Sequence, residues 1–423
     1  MTDHSTADDG SGEGPDSGEA ILEGLLVVDF SEGIAGPYCT KLLAGFGARV
    51  VKVELPRGDV SRQRGPYPDD QPNPEASGLF LHLNAGKEGI VVDYERPEGA
   101  RVVRDLIAGA DVVIESAVPG RLVDLGLAAD DLLGLRPSLV VCSVTPFGQT
   151  GPRRHDPATS ITLFALGGPM SASGRADSEP LKLAGNVIEY QAGNTAFTAV
   201  LGALYYAGAT GVGQHVDISN LETQAGSTDR IRAYHLAHQY SGTVVLRDSA
   251  VGRRVGGAGG RFVAADGVTV TPGAGVWPTH IERMVATLDE PRITDLLAEE
   301  GPAAVSAAGD LVNPVIAAWV AQRSGRQAMR EAQANGWPIV VVNNPLSILT
   351  DEHLAARGFW REIDHPIAGR LPYAGPPWRI DEGGWGPATA APTLGCHTDA
   401  VLAQVAGYDE DEIRSLRSSG IVA

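Results

Sequence analysis

The sequence predicts an α/β protein built on a parallel, helix-covered sheet, with a second, smaller domain set into the chain. Three observations carry this. Short apolar runs alternate with helical stretches, the pattern of repeated βα units. The runs are apolar throughout, as strands covered on both faces are. Between about 225 and 330 the pattern yields to Gly-rich turns, short β-like runs and helices, and then returns.

Residues 25–54, LLVVDFSEGIAGPYCTKLLAGFGARVVKVE, read as strand, loop, helix, strand. Pro37 stands near the helix start, and Gly45 and Gly47 break it. GIVVDY (89–94) is a strand, and RPEGARVVRDLIAGA (96–110) a helix opened by Pro97. DVVIES (111–116), SLVVCSV (138–144) and GQHVDIS (213–219) are strands. Residues 161–172, 189–209 and about 220–240 read as helices. A helical stretch fills 279–332, and WPIVVVNNPLSIL (337–349) brings the α/β pattern back. The expected domains are therefore a large one from 21–224 and 331–423 and a small one from 225–330. Residues 1–20 hold six acids and no Lys or Arg. They are expected to be disordered, because they offer no apolar surface to a core.

The chain has 423 residues, a net charge of −19 and no run of some 18 apolar residues. That charge argues against nucleic acid as a partner, since a phosphate backbone wants a basic face. No membrane span is expected. Cys39, Cys142 and Cys396 are far apart and form no metal-type cluster, so no metal and no disulfide framework are expected. The expected compartment is the cytoplasm.

The loop FSEGIAGP (30–37) follows the first strand, which is a ligand position in open α/β sheets. It singles out Ile34, Ala35 and Gly36. Lys52, Arg57, Arg62 and Arg64 cluster after the next strand and are candidate phosphate partners. GGAGG (256–260), with Gly256 and Gly257, reads as a mobile flap. Ser160, in GPRRHDPATSITLFALGGPM (151–170), would be a nucleophile only with a base in reach. On these grounds the chain is an α/β protein that binds a small anionic ligand.

Several stretches in order resemble the class III CoA-transferases, the family of formyl-CoA transferase, carnitine CoA-transferase and α-methylacyl-CoA racemase. They are LEGLLVVDFSEGIAGPYCTKLLAGFGARVVKVELPRGDVSR, LNAGKEGIVVDYERPEG, VIESAVPGRLVDLGL, SVTPFGQTGP, TGVGQHVDISNLE, DEHLAARGFWREIDHPIAG and APTLGCHTDAVL. The resemblance implies a Rossmann-like large domain with a parallel sheet, a smaller α+β domain and an interlocked-ring dimer. It also implies coenzyme A or an acyl-CoA as substrate, bound in the large domain, with a carboxylic acid as second substrate. In the family a carboxylate attacks the thioester, a mixed anhydride forms and CoA leaves as thiolate. CoA then returns to make an enzyme-linked thioester, from which the acceptor acid is converted.

Aligned on its flanking glycines, the family's nucleophilic Asp falls at Ser160. The His of the racemase branch falls at Thr159, and its later acid at Glu189. Asp156 is the nearest carboxylate in sequence. Lys52, Glu54 and Lys87 match family positions, whereas Ser116-Ala117 replaces Asn-Phe and Asp124 replaces an Arg. The resemblance thus implies CoA transfer by a chain without the usual nucleophile. The expected form is the non-catalytic subunit of a heteromer with an Asp-containing paralogue, rather than a homodimer. Two alternatives stand beside it: an active acyl-CoA enzyme using Glu189 or Asp156 as base, and a CoA-binding protein without catalysis.

Overall fold

A computed structural model describes residues 20–174, 178–226, 231–244, 257–273, 277–380, 384–385 and 389–423. Residues 1–19 and Gly256 lie outside this set. The chain divides into two compact units, Val245–Arg357 and the remainder.

The larger unit opens with β1 (Leu26–Asp29), α1 (Ala35–Gly45), β2 (Arg49–Glu54), α2 (Gly78–Asn84), β3 (Glu88–Val91), α3 (Pro97–Ala108) and β4 (Val112–Glu115). There follow α4 (Ala129–Leu135), β5 (Val140–Thr145), α5 (Ser160–Leu166), α6 (Val187–Thr210), β6 (Gln214–Ser219), α7 (Asn220–Ala225) and α8 (Ile231–Ser241). The six strands form one sheet in the order β3-β2-β1-β4-β5-β6, and every pairing is parallel. Register is set at Val28, opposite Val51 on one side and Val113 on the other.

Alternation along each strand divides the core. Val27, Val50, Val112 and Val140 face Cys39 and Leu43 of α1 and Ala192, Ala196 and Val200 of α6. Val28, Val51, Val113 and Val141 face α3 through Val102, Val103, Leu106 and Ile107. Both faces are covered, so the inner strands read as largely apolar runs, while the edge strand β6 keeps Gln214, His215 and Asp217 exposed. α1 and α6 approach closely because Gly193 has no side chain: a Cβ there would stand 2.6 Å from the Ala35 carbonyl oxygen and 3.0 Å from the Tyr38 ring.

The smaller unit contains β7 (Phe262–Val263), β8 (Thr269–Pro272), α9 (Pro278–Leu288), α10 (Pro291–Glu300), α11 (Pro302–Ala307), α12 (Gly309–Ala321), α13 (Gly325–Ala334), β9 (Ile339–Val341), α14 (Pro345–Leu349) and α15 (Glu352–Ala356). Its antiparallel sheet, β7-β8-β9, packs with the helices around Met284, Ile316 and Trp337.

The two units divide at 245 and 357, beside the 225 and 330 read from the sequence. α7 and α8 both belong to the larger unit. The run at 339–341 does not rejoin the parallel sheet. It pairs antiparallel with β8, Thr271 against Val340. An apolar triplet fixes a strand but not its partner.

The larger unit resumes with β10 (Trp360–His365) and β11 (Gly369–Ala374), an antiparallel hairpin, then α16 (Thr398–Val405) and α17 (Glu410–Ser418). Val401, Leu402, Ile413, Leu416 and Val422 complete the α3 side of the core. No helix among the described residues is long and apolar enough to cross a membrane.

Replacing Gly193 with Ala forces α1 and α6 apart. The expected cost is ~1–3 kcal/mol, as for overpacking elsewhere. Thermal melts of Gly193→Ala and wild type check this; an unchanged melting temperature would contradict the close approach.

Candidate active site

The strand order places a topological switch point between β1 and β4, so a crevice opens beyond their carboxyl ends. The loops bordering it are tied together: the Glu32 backbone N–H donates to Ser116 Oγ at 2.8 Å. Phe30, Glu32, Arg57, Tyr94, Ser116 and Arg121 line a cavity of about 40 Å³ there. Two guanidiniums reach its mouth. Arg57 meets Glu32 at 3.2 Å and Glu95 at 3.3 Å, and Arg121 also meets Glu95. Both arginines are about half-exposed, so these pairs exchange readily with solvent or an anion. Burial raises the Glu32 carboxyl above its ordinary range, against the pull of Arg57.

Lys52 and Lys87 do not face this crevice. Lys52 Nζ pairs with Asp59 Oδ2 at 2.8 Å, with both side chains out of water, and donates to the Ser31 carbonyl. Lys87 Nζ meets Asp29 Oδ2 at 3.1 Å, Thr40 Oγ1 at 2.7 Å, and the Pro37 carbonyl and Asn84 Oδ1 at 2.9 Å. In the fold both act as internal counter-ions, Lys87 spending its ammonium on four oxygens and Lys52 on two, with both side chains buried. Asp29, fully buried, also accepts from Ser31 and from Thr40 at 2.6 Å. Burial alone would raise its carboxyl. The ammoniums of Lys52 and Lys87 overcome this and hold it at about 2. Arg62 is likewise consumed: it forks onto Glu54 at 2.7 Å, meets Glu75 at 2.9 Å and lies over the Phe80 ring.

Ile34, Ala35 and Gly36 are buried at the start of α1. A Cβ on Gly36 would fall 2.2 Å from Ser31 Oγ, so this turn packs against its own preceding loop. They shape the crevice from behind rather than lining it. Asp124 sits exposed in a short helical turn and does not line the cavity; Arg121, three residues earlier, does. The sequence alignment placed a lost cation at 124, while the fold supplies one from 121.

Ser160 begins α5, just after Thr159, whose backbone N–H donates to Thr162 Oγ1 at 2.8 Å in a capping box. Leu163 and Phe164 of α5 pack on Ile188 in the first turn of α6. That contact sets Ser160 against Glu189: Ser160 Oγ donates to Glu189 Oε2 at 3.2 Å, and both residues are half-buried. Asp156 is exposed, and its recorded bond is from its own backbone N–H to the Arg153 carbonyl. Two of the three candidate catalytic residues are thus together, and Asp156 makes no recorded contact with either. Gly257 belongs to the smaller unit, where Asn313 holds its loop by accepting from Gly259 N–H at 2.8 Å and donating to the Gly257 carbonyl at 3.2 Å.

A larger cavity of about 190 Å³ lies beyond β4 and β5, lined by Glu115, Ser143, Gln149 and His215 among others. Ser143 Oγ and His215 Nε2 are 2.9 Å apart. Burial raises the Glu115 carboxyl, against hydrogen bonds from Ser143 and the Ala117 N–H. Spacing in the sequence gave no sign of this group, because its members lie on three strands.

The model of the family described as CoA-transferase family III matches residues 22–398. The chain belongs to that family. A mouse (Mus musculus) protein named succinyl-CoA:glutarate CoA-transferase is 29% identical over 408 residues, 95% of this chain and 90% of its own. Subunit BbsE of succinyl-CoA:(R)-benzylsuccinate CoA-transferase from Thauera aromatica is 31% identical, covering 94% of this chain and 97% of its own. The beta subunit of succinyl-CoA–L-malate CoA-transferase from Chloroflexus aurantiacus is 28% identical, with 95% and 98% covered. A crystal structure of a CAIB/BAIF family protein from Brucella suis superposes with a TM-score of 0.78 at 27% identity, covering 92% of this chain and all of that one.

The buried charges predict a pH response. Asp29 titrates near 2 in the folded protein and near 3.9 when unfolded. Its contribution is therefore complete above about pH 4 and lost as pH falls toward 2. Asp29→Asn leaves Lys87 without its counter-ion and is expected to cost ~3–5 kcal/mol at neutral pH. Urea melts across the acid range should show the two proteins converging below about pH 2. A constant difference would argue against the assignment.

Proposed function

We propose that this chain is a nucleophile-lacking subunit of a class III CoA-transferase, moving CoA between an acyl-CoA and a carboxylic acid together with a paralogue that supplies the attacking carboxylate. What carries the reading is the side chain itself: where the family alignment puts an attacking carboxylate, this chain has the Ser160 hydroxyl, in reach of Glu189 at 3.2 Å. A hydroxyl attacks a thioester only after a base takes its proton. The ester it would form lacks the exchange energy of an anhydride. The carboxylate of the paralogue would attack the thioester carbonyl carbon, the C–S bond would break, and CoA would leave as thiolate. In this chain Arg57 and Arg121 would face the phosphates at the crevice mouth, exchanging Glu32 and Glu95 for them.

Two relatives bear the word subunit in their names, which supports a heteromer. The interlocked pair of rings is the proposed form, with a cytoplasmic location. Succinyl-CoA is the donor to try first, since it stands in the names of several relatives. A second reading is favoured by the same hydrogen bond. Glu189, half-buried and in reach of position 160, would act as the base of an enolising acyl-CoA enzyme.

Expressing the chain alone and with its Asp-containing paralogue tests the first reading. Transfer from succinyl-CoA is expected only for the pair. Efficient transfer by this chain alone would overturn it, and α-deuterium exchange abolished by Glu189→Gln would favour the second.

Restoring the nucleophile is a sharper test. Ser160→Asp sets a second carboxylate within about 3 Å of Glu189, and two such groups do not both ionise readily. Little acyl or CoA adduct is expected from the single variant by intact mass spectrometry with hydroxylamine trapping. Adding Glu189→Gln removes the like charge, and at least ~10-fold more adduct is expected, since each pKa unit is about 1.4 kcal/mol. An efficient single variant would refute this electrostatic argument.

A further inference from the structure

A second cavity, of about 40 Å³, lies between α1 and the β10–β11 hairpin. Its polar lining is Lys41 from α1, Arg361 from β10, Tyr373 from β11 and Thr389, with Trp385 as an apolar wall. Among the described residues, no Asp or Glu lines it. Arg361 and Tyr373 are directly opposite in the hairpin register, so they share a face.

Three of these groups lack the partners that buried polar groups ordinarily have. Lys41 is 8% exposed. Its Nζ meets His82 Nδ1 at 3.2 Å, and among the described residues it has no carboxylate partner. Tyr373 is 7% exposed, and its hydroxyl has no hydrogen-bond partner. Arg361, half-buried, has no side-chain hydrogen bond or ion pair among the described residues. Elsewhere in this unit the buried cations Lys52, Arg62 and Lys87 are each matched to a carboxylate. Here Lys41, Arg361 and Tyr373 line one cavity, and among the described residues no carboxylate lines it with them.

We propose that this cavity is a binding site for a compact planar oxyanion of the carboxylate type, such as formate or bicarbonate, held by Lys41, Arg361 and Tyr373. A water needs roughly 10–15 Å³ of such space, so the volume admits an anion of three or four heavy atoms. It excludes CoA, whose phosphates and adenine are far larger. The site is also separate from Ser160 and Glu189, which do not line it. A carboxylate would accept from the Arg361 fork, from Lys41 Nζ and from the Tyr373 hydroxyl, giving each its missing partner.

The charges around Lys41 give the site a pH signature. Burial, then the neighbouring Lys87 ammonium, pulls the Lys41 ammonium down to about 7. His82 on α2 is held at about 3 by burial and by Lys41, so it stays neutral and accepts. Lys87, just beyond α2, and Arg361 and Tyr373 on the hairpin are the other titratable groups facing it. A bound anion favours protonated Lys41. Affinity should therefore fall as pH rises through 7, by about tenfold per unit where the free amine dominates.

Calorimetric titration of formate into the full-length chain, at about pH 6 and about pH 8, tests this. Binding that weakens at the higher pH, with proton uptake from the buffer, is expected. Lys41→Met, which keeps the apolar stem, and Arg361→Gln should each abolish binding. Their melting temperatures without formate verify that they fold. A second readout needs no variant: formate should protect Lys41 of the wild-type chain from amine-directed labelling, read by peptide mass spectrometry. Phosphate, larger and tetrahedral, should protect far less. Absence of both heat and protection at millimolar formate would overturn the proposal, as would undiminished binding by a folded Lys41→Met variant.

Discussion

The large unit is organised by charges that never meet water. Asp29, at the carboxyl end of the central strand, is compensated by Lys87 in direct contact and by Lys52 nearby, and Lys52 in turn pairs with Asp59. Because Lys87 also bonds the Pro37 carbonyl and Thr40, the network fixes where α1 starts relative to β1. The turn 34–36, the loop at Ser31 and Glu32 and the crevice beside Ser116 all inherit their positions from it. A buried ion group of this kind adds little net stability over apolar packing, yet losing one member is severe. Its value lies in holding loops that are polar by necessity.

Against that rigid inner layer, the outer charges are interchangeable. Arg57 and Arg121 lie half in solvent, each bound to a glutamate that an incoming phosphate can displace. The division explains how an acidic chain keeps local sites for anions. Its overall field repels them, while individual guanidiniums at strand ends attract them at short range. The pocket at Lys41 is a third arrangement, where a buried Lys41 and a half-buried Arg361 have no acid of their own among the described residues.

Much of the fold was legible because the sheet is covered twice. Strands such as Leu26–Asp29 and Val112–Glu115 are apolar up to their last residue, a buried acid, and could be little else. The hairpin Trp360–Ala374 was not legible: its buried positions, Ile363 and His365 on one strand and Tyr373 on the other, are interrupted by charged residues. The meeting of Ser160 with Glu189 was foreshadowed only through family alignment, since 29 positions separate them. Lys52, inside β2, and Lys87, just before β3, each meet a buried aspartate. A lysine in or beside a strand looks the same in sequence whether it faces a ligand or a buried carboxylate. Arg121 was missed because alignment compares positions, whereas a crevice is reached by whatever side chain the loop turns toward it.

The chain path has a consequence for biosynthesis. The face of the sheet under α3 is closed by Val401, Leu402, Ile413, Leu416 and Val422, yet the whole smaller unit is translated before them. For the time needed to synthesise residues 245–400, the nascent large unit carries an apolar surface with nothing to cover it. At ribosomal speeds of about 5–20 residues per second, that interval is on the order of 10 s. Folding of the six-stranded sheet is therefore provisional until α16 and α17 arrive.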